Sequence, residues 1–123
     1  FKMRDKHDIS FIYITHDLVT ARYICDRIAI MYLGNIVEIG PTEEIINNPK
    51  HPYTQALITA VPVPDPTAEI PELPIKGYVP VTPEDTINSC SFALRCPQAK
   101  KRCRLEKPQM IRVGGGHSAS CFY

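Results

Sequence analysis

The apolar and polar positions of the first 25 residues follow two different patterns. Residues 9–14 form an apolar run rich in β-branched and aromatic side chains, which is typical of a strand buried on both faces of a parallel sheet. Residues 18–25 instead place apolar side chains three and four positions apart, which predicts a helix with one apolar stripe. Asp17 precedes this stripe and is expected to cap the helix.

A hairpin and two short helices are predicted next. Residues 28–33 and 36–39 are apolar runs separated by Gly34-Asn35, a dipeptide suited to a two-residue turn with positive φ. A helix is then expected to start with Thr42 as its cap and to stop at Asn48-Pro49. A second helix is predicted from Pro52 to Val61, with an apolar face made of Tyr53, Ala56, Leu57, Ala60 and Val61.

The composition changes at Pro62. Seven prolines fall between positions 62 and 83, and acidic residues outnumber basic ones five to one over residues 62–89, which predicts an extended linker pinned to another surface. Residues 95–112 are strongly basic instead. The whole chain has 123 residues and a formal charge of +1, so its net charge favours neither a nucleic acid nor a membrane partner. No apolar run is long enough to span a bilayer.

Four cysteines in the last third indicate a metal centre. They are spaced Cys90-x5-Cys96-x6-Cys103-x17-Cys121. Two disulfides are an alternative, but they need an oxidising compartment and the sequence shows no export signal. Zinc sites usually use closer cysteine pairs than these. A short helix from Pro97 through Cys103 would splay its ligands, which favours a larger iron-sulfur core whose negative charge the basic residues offset.

Three further side chains are candidates for a site. His117 could replace one cysteine ligand, but after three glycines it is expected to be a solvated surface residue. Cys25 is expected to be a small buried hydrophobe. His16 lies where the predicted strand ends, and ligands of open α/β sheets bind beyond the carboxyl ends of strands. His16 is therefore predicted to contact an anion such as a phosphate, the alternative being a histidine that only makes local hydrogen bonds.

The chain resembles a known family at several of these points. Residues 14–18 (Ile-Thr-His-Asp-Leu), 25–32 and 34–40 look like the region after the Walker B motif in ATP-binding subunits of ABC transporters. His16 matches the switch histidine of those subunits. Residues 48–57, which contain His-Pro-Tyr, resemble the oligopeptide/dipeptide branch, whose C-terminal extension ends in a similar cysteine pattern. The resemblance covers essentially the whole chain.

The resemblance implies an α/β fold with three parts. Residues 1–61 would be the C-terminal part of an ABC-type nucleotide-binding domain, residues 62–89 a proline-rich linker, and residues 90–123 a small irregular metal-binding tail. The tail would hold a 4Fe-4S cluster, with zinc as the alternative, through Cys90, Cys96, Cys103 and Cys121. His16 would sense the γ-phosphate of ATP.

The function implied is that of a peptide importer subunit. Its expected partners are transmembrane permease subunits, a second ATP-binding subunit and, indirectly, an extracytoplasmic peptide-binding protein; no nucleic acid is expected. The subunit would lie peripherally on the cytoplasmic face of the membrane. ATP and Mg would bind only to the full-length subunit, because this sequence lacks the phosphate loop, the catalytic glutamate and the signature motif. The chain is therefore expected to be a fragment without ATPase activity. The alternative is a free-standing metal-stapled module that contacts nucleic acid or anionic lipid.

Overall fold

The computed structural model describes residues 6–61, 75–77, 79 and 87–123. The elements in chain order are α1 (Leu18–Ile24), β1 (Arg27–Tyr32), β2 (Asn35–Pro41), α2 (Thr42–Asn47), α3 (Pro52–Thr59), α4 (Lys101–Leu105), β3 (Ile111–Gly114) and β4 (His117–Ala119). Within these ranges no helix has the length and apolar character needed to cross a membrane. Most of the predicted linker, and with it the prediction that it is pinned, lies outside the described residues.

The described strands form one antiparallel sheet in the order β1-β2-β4-β3. The hairpin of β1 and β2 was predicted, whereas β3 and β4 were not. Strand β4 pairs with β2 through Glu38 opposite Ala119 and Ile39 opposite Ser118. The region after the cysteines thereby adds two strands to the sheet that begins with the hairpin.

The predicted strand at residues 9–14 is wrong for this chain. These residues have no regular structure, and the side chains of Ile12 and Ile14 are 95% and 92% exposed. A strand of a parallel sheet is stabilised by hydrogen bonds to neighbouring strands. The described residues place no strand beside residues 9–14, so the apolar run alone does not produce the structure.

The hairpin turn lies one residue earlier than the sequence predicts. Tyr32 pairs with Asn35, so the turn consists of Leu33 and Gly34, with φ values of 45° and 75°. Positive φ at both central residues is the pattern of a type I′ turn. The Asn35 side chain donates from Nδ2 to the Leu33 carbonyl at 3.0 Å, which fixes this residue at the start of β2 and outside the turn.

Two helix starts were predicted correctly. The Asp17 carboxylate accepts a hydrogen bond from the Val19 N–H at 2.9 Å and caps α1. Pro52 occupies the first turn of α3, which ends at Thr59, two residues before the predicted end.

The predicted Thr42 cap is wrong. Pro41 takes the cap position of α2 without a side-chain hydrogen bond. Thr42 lies inside the first turn, where its hydroxyl donates to the Cys25 carbonyl at 2.5 Å and its N–H donates to the Asp26 carbonyl at 3.1 Å. The threonine therefore ties α2 back to the end of α1, a long-range contact that competes with capping.

One core joins the hairpin, the helices and the cysteine region. It is built from Ala21, Ile28, Ile30, Tyr32, Val37, Ile45 and Phe92. Phe92, which lies between the first two cysteines of the tail, packs its ring 5.2 Å from Tyr32 and 5.3 Å from Tyr53. Burial of aromatic rings is among the largest apolar contributions to stability, so Phe92 anchors the cysteine region to β1 and α3.

Candidate metal centre

The four cysteines predicted as ligands line one cavity. Cys90, Cys96, Cys103 and Cys121 surround it together with His51, Phe92 and the rings of Phe122 and Tyr123; this space is called the cysteine cavity below. None of the four forms a disulfide. Cys25, which precedes β1 in the sequence, is partly buried and packs against the core. It does not line the cysteine cavity.

Turns bring the first three cysteines together. The Cys90 N–H donates to the Cys103 carbonyl at 2.9 Å, the Ala93 N–H donates to the Cys90 carbonyl at 2.9 Å, and the Cys96 N–H donates to the Phe92 carbonyl at 2.9 Å. The predicted helix from Pro97 through Cys103 is wrong, because α4 starts only at Lys101. Cys96 and Cys103 therefore meet through a turn anchored by Phe92, and not on one helix face.

The sheet delivers the fourth cysteine. The Ser120 N–H donates to the Val37 carbonyl at 2.8 Å, and the Ser120 hydroxyl donates to the Pro108 carbonyl at 2.7 Å. These bonds continue the pairing of β4 with β2 and fix the direction of the chain just before Cys121. A residue 18 positions beyond Cys103 in the sequence thereby reaches the same cavity.

Burial raises the pKa of the Cys90 and Cys96 thiols above the ordinary value, and the neighbouring cysteines raise it further. A soft cation needs thiolates as ligands, so its binding would release these protons. Among the described residues, no three or more His, Cys, Asp or Glu side chains converge closely enough to hold a single metal ion. The donor set, four thiols around one shared cavity, fits a group that takes four sulfur ligands.

Two cations lie on the two rings that line the cavity at the end of the chain. The Lys100 ammonium lies 3.7 Å from the centre of the Tyr123 ring, and the Arg102 guanidinium lies 4.3 Å from the centre of the Phe122 ring. Cation–π contacts of this kind hold the rings in place. Two of the basic residues that the sequence places in this region thus contact rings that line the cysteine cavity.

A buried carboxylate ties this region to the rest of the chain. Glu38 on β2 is 0% exposed. One of its oxygens, Oε1, accepts from the Lys50 N–H at 2.7 Å and contacts His117 Nε2 at 2.6 Å, and the other, Oε2, accepts from the His51 N–H at 2.9 Å. This set of contacts, called the Glu38 hub below, connects β2, the start of α3 and β4.

The hub overturns the expectation that His117 is solvated. Its side chain is 2% exposed, and its Nε2 lies 2.6 Å from Glu38 Oε1 in a buried hydrogen bond. His117 also lies against Gly40, whose missing side chain leaves the space for this contact. The three glycines before His117 suggested an exposed loop, but Gly114 ends β3 and pairs with His117, and only Gly115 and Gly116 form the turn between β3 and β4.

His51 lies between the hub and the cysteines. It is 1% exposed, its ring lies 5.7 Å from that of Phe92, and its Nδ1 accepts the Tyr53 N–H at 3.1 Å. Burial lowers its pKa to about 4, which outweighs the opposite effect of the Glu38 carboxylate. Sequence reasoning missed both Glu38 and His51 as site residues. A glutamate inside an apolar strand was the available signal, because buried carboxylates are rare unless paired.

His16 does not belong to the cysteine cavity. It is exposed at the entry to α1, beside the Asp17 cap, and it is not among the residues that line the cysteine cavity. The Asp17 N–H donates to the Thr15 hydroxyl at 3.0 Å, so local hydrogen bonds shape the turn that presents His16. The pKa of Asp17 is lowered, first by its hydrogen bond from the Thr20 side chain.

Comparison with known proteins gives one family and many relatives. Residues 37–103 match the family described as "Oligopeptide/dipeptide transporter, C-terminal region". A probable peptide ABC transporter ATP-binding protein of Sinorhizobium fredii is 42% identical over 119 residues, 97% of this chain and 33% of the relative.

Two relatives come from Haemophilus influenzae. Its oligopeptide transport ATP-binding protein OppF is 40% identical over 93% of this chain and 35% of the relative. Its dipeptide transport ATP-binding protein DppF is 35% identical over 98% of this chain and 37% of the relative. The chain thus spans about a third of the length of these curated relatives.

Proposed function

The chain belongs to the oligopeptide/dipeptide transporter family, as the C-terminal region of an ABC transporter ATP-binding subunit, and from this premise we propose a function for each of its parts. Residues 1–61 complete an ATP-binding domain, residues 62–89 link it to the tail, and residues 90–123 hold a metal centre. The full-length subunit binds ATP and Mg and drives the import of peptides. The printed names of the relatives, which refer to peptide, oligopeptide and dipeptide transport, support this proposal.

The subunit is proposed to act at the cytoplasmic face of the membrane, where it assembles with transmembrane permease subunits and a second ATP-binding subunit. An extracytoplasmic peptide-binding protein would supply the peptide. The test is co-purification of the full-length subunit with its permease subunits from membranes, followed by peptide-dependent ATP hydrolysis. A subunit that neither associates with a permease nor responds to peptides would contradict this assignment.

The metal centre is proposed to be a 4Fe-4S cluster held by Cys90, Cys96, Cys103 and Cys121. The observation that carries this proposal is that all four cysteines line one cavity, together with His51 and Pro52 at the start of α3. When bound, such a cluster supplies a cross-link between four segments and a redox couple. The cysteines hold it, Phe92 positions their turn, and the Phe122 and Tyr123 rings exclude water from one side.

Elemental analysis tests the cluster. Chain purified without oxygen should contain iron and acid-labile sulfide in about equal amounts and absorb broadly in the visible range. Each of the four Cys→Ser changes should remove the colour, whereas the matched control Cys25→Ser should keep it, because Cys25 does not line the cavity. A chain that contains one zinc and no iron would contradict the cluster and keep the four ligands. A tail that unfolds with a reductant but not with a chelator would contradict any metal centre.

His16 is proposed as the switch histidine that senses the γ-phosphate of ATP in the full-length subunit. Its exposed position at the entry to α1 supports this, because nothing in the described residues covers it. His16→Ala in the full-length subunit should abolish hydrolysis while nucleotide binding is kept. His7→Ala is the matched control, being an exposed histidine elsewhere in the same region. Unchanged hydrolysis in His16→Ala would remove this residue from the mechanism.

A further inference from the structure

His51 touches both the Glu38 hub and the cysteine cavity. Its backbone N–H donates to Glu38 Oε2 at 2.9 Å. Its ring lines the cysteine cavity together with the four cysteines and is 1% exposed. A polar side chain this deeply buried beside a candidate metal centre needs a role for each of its ring nitrogens.

The role of the first ring nitrogen determines where the proton lies. Nδ1 accepts the Tyr53 N–H at 3.1 Å and so caps α3. A nitrogen that accepts a hydrogen bond carries no proton, and a neutral imidazole then has its single proton on the other nitrogen. Nε2 of His51 is therefore an N–H donor.

The second ring nitrogen needs an acceptor. Within the described ranges no hydrogen-bond partner of Nε2 is found, although buried N–H groups nearly always have one. Cys90 lines the cysteine cavity with His51 and also lines a second, adjoining cavity with it. Among the described residues no hydrogen bond joins Nε2 to a cysteine sulfur, so the acceptors left to it in this cavity are the sulfur atoms of a loaded centre.

We propose that the Nε2–H of His51 donates a hydrogen bond to a sulfur of the metal centre, either the Cys90 Sγ or a sulfide of the bound cluster. This inference rests on the proposed function of the four cysteines as metal ligands. It makes His51 a positioning residue that couples the start of α3 to the metal centre. The histidine of the His-Pro-Tyr motif thereby acquires two separate tasks, one for each ring nitrogen.

A hydrogen bond to sulfur has measurable consequences. Donors to cluster sulfurs help to set the reduction potential, because they stabilise the more negative, reduced form. Partners that orient metal ligands also retain the metal, and their loss typically costs about 10–100-fold in affinity. Both effects depend on Nε2 and not on the cap made by Nδ1.

Two substitutions separate the two nitrogens. In His51→Asn the side-chain oxygen lies near the position of Nδ1, so it can accept the Tyr53 N–H, but the side chain is too short to reach the cavity. In His51→Gln the amide reaches the position of Nε2 and can donate, but the cap is lost. Asparagine is a strong helix cap, so His51→Asn is expected to fold.

The experiment uses anaerobically purified wild-type chain and both variants. His51→Asn should lower the reduction potential and release iron to a chelator about 10-fold or more faster than wild type. His51→Gln should keep the potential and iron retention near wild type while its melting temperature falls. A one-electron equilibrium shifted tenfold corresponds to about 59 mV. If the metal is zinc, the chelator measurement alone decides.

The outcomes separate this inference from the proposed function. A wild-type chain that binds neither iron nor zinc overturns both. A wild-type chain that binds metal, with potential and retention unchanged in His51→Asn, overturns only the hydrogen bond. Equal losses in both variants would also overturn it, because they would trace the effect to the cap.

Discussion

Replacing Glu38 by glutamine should strongly destabilise the fold. The carboxylate is fully buried and accepts hydrogen bonds from Lys50 N–H, His51 N–H and His117 at 2.6–2.9 Å. Glutamine keeps the shape but turns one acceptor oxygen into a donor NH₂, which must face one of these three donors. It also changes the group that His117 Nε2 contacts at 2.6 Å.

The magnitude follows from the number of groups left without a partner. A buried donor that loses its acceptor costs about 1–3 kcal/mol, and hydrogen bonds to a charged group are worth about 1.5–3 kcal/mol each. We expect a loss of about 3 kcal/mol in the free energy of unfolding, against about 5–15 kcal/mol for a typical domain.

Urea unfolding of the purified chain measures this loss. Glu43→Gln is the matched control, because Glu43 pairs with Arg22 at the surface and exposed pairs contribute little. A double-mutant cycle with His117→Gln should show that the two changes are less than additive, since they break the same contact. A loss below about 1 kcal/mol in Glu38→Gln, or full additivity with His117→Gln, would refute the hub as a source of stability.

Three further results are expected. Burial lowers the pKa of His51 from 6.5 to about 4, so between these pH values the unfolded chain binds a proton at this residue and the native chain does not. The contribution of the neutral His51 to the free energy of unfolding is therefore complete above pH 6.5 and is lost as the pH falls towards 4. The difference of 2.5 pKa units (6.5 − 4) corresponds to about 3 kcal/mol, and urea midpoints of wild type and His51→Asn at pH 7 and 4.5 should differ in this dependence. Phe122→Ala should open the cysteine cavity and speed iron loss to a chelator, whereas Met31→Ala, at an exposed position on β1, should not; equal rates would exclude the ring as a cover. Gly40→Ala would place a Cβ 3.1 Å from the His117 Cα and should cost about 1–3 kcal/mol by forcing β2 and β4 apart, which thermal unfolding would show; an unchanged melting temperature would mean that the strands yield freely.

The sequence by itself determined the elements whose signals are local. The Asp17 cap, the apolar stripe of α1 and Pro52 in the first turn of α3 act within a few residues, so their spacing predicts them. The alternating burial of β1 and the turn beside Gly34 belong to the same class, although the turn shifted by one residue. The four cysteines are likewise visible in the sequence, and the structure places them around one cavity.

Only the tertiary structure decided which distant residues meet. Glu38 and His117 are 79 positions apart, and no periodic pattern in the sequence relates them. The sequence therefore predicted an exposed His117, although the residue is buried. Residues 9–14 show the converse, because a strand needs neighbours that its own sequence does not supply. Capping, turn and stripe signals arise from interactions along the chain, whereas the hub and the cysteine cavity arise from strand pairing and from the packing of Phe92 between segments. Those contacts depend on the positions of all the segments together, and a local pattern does not encode them.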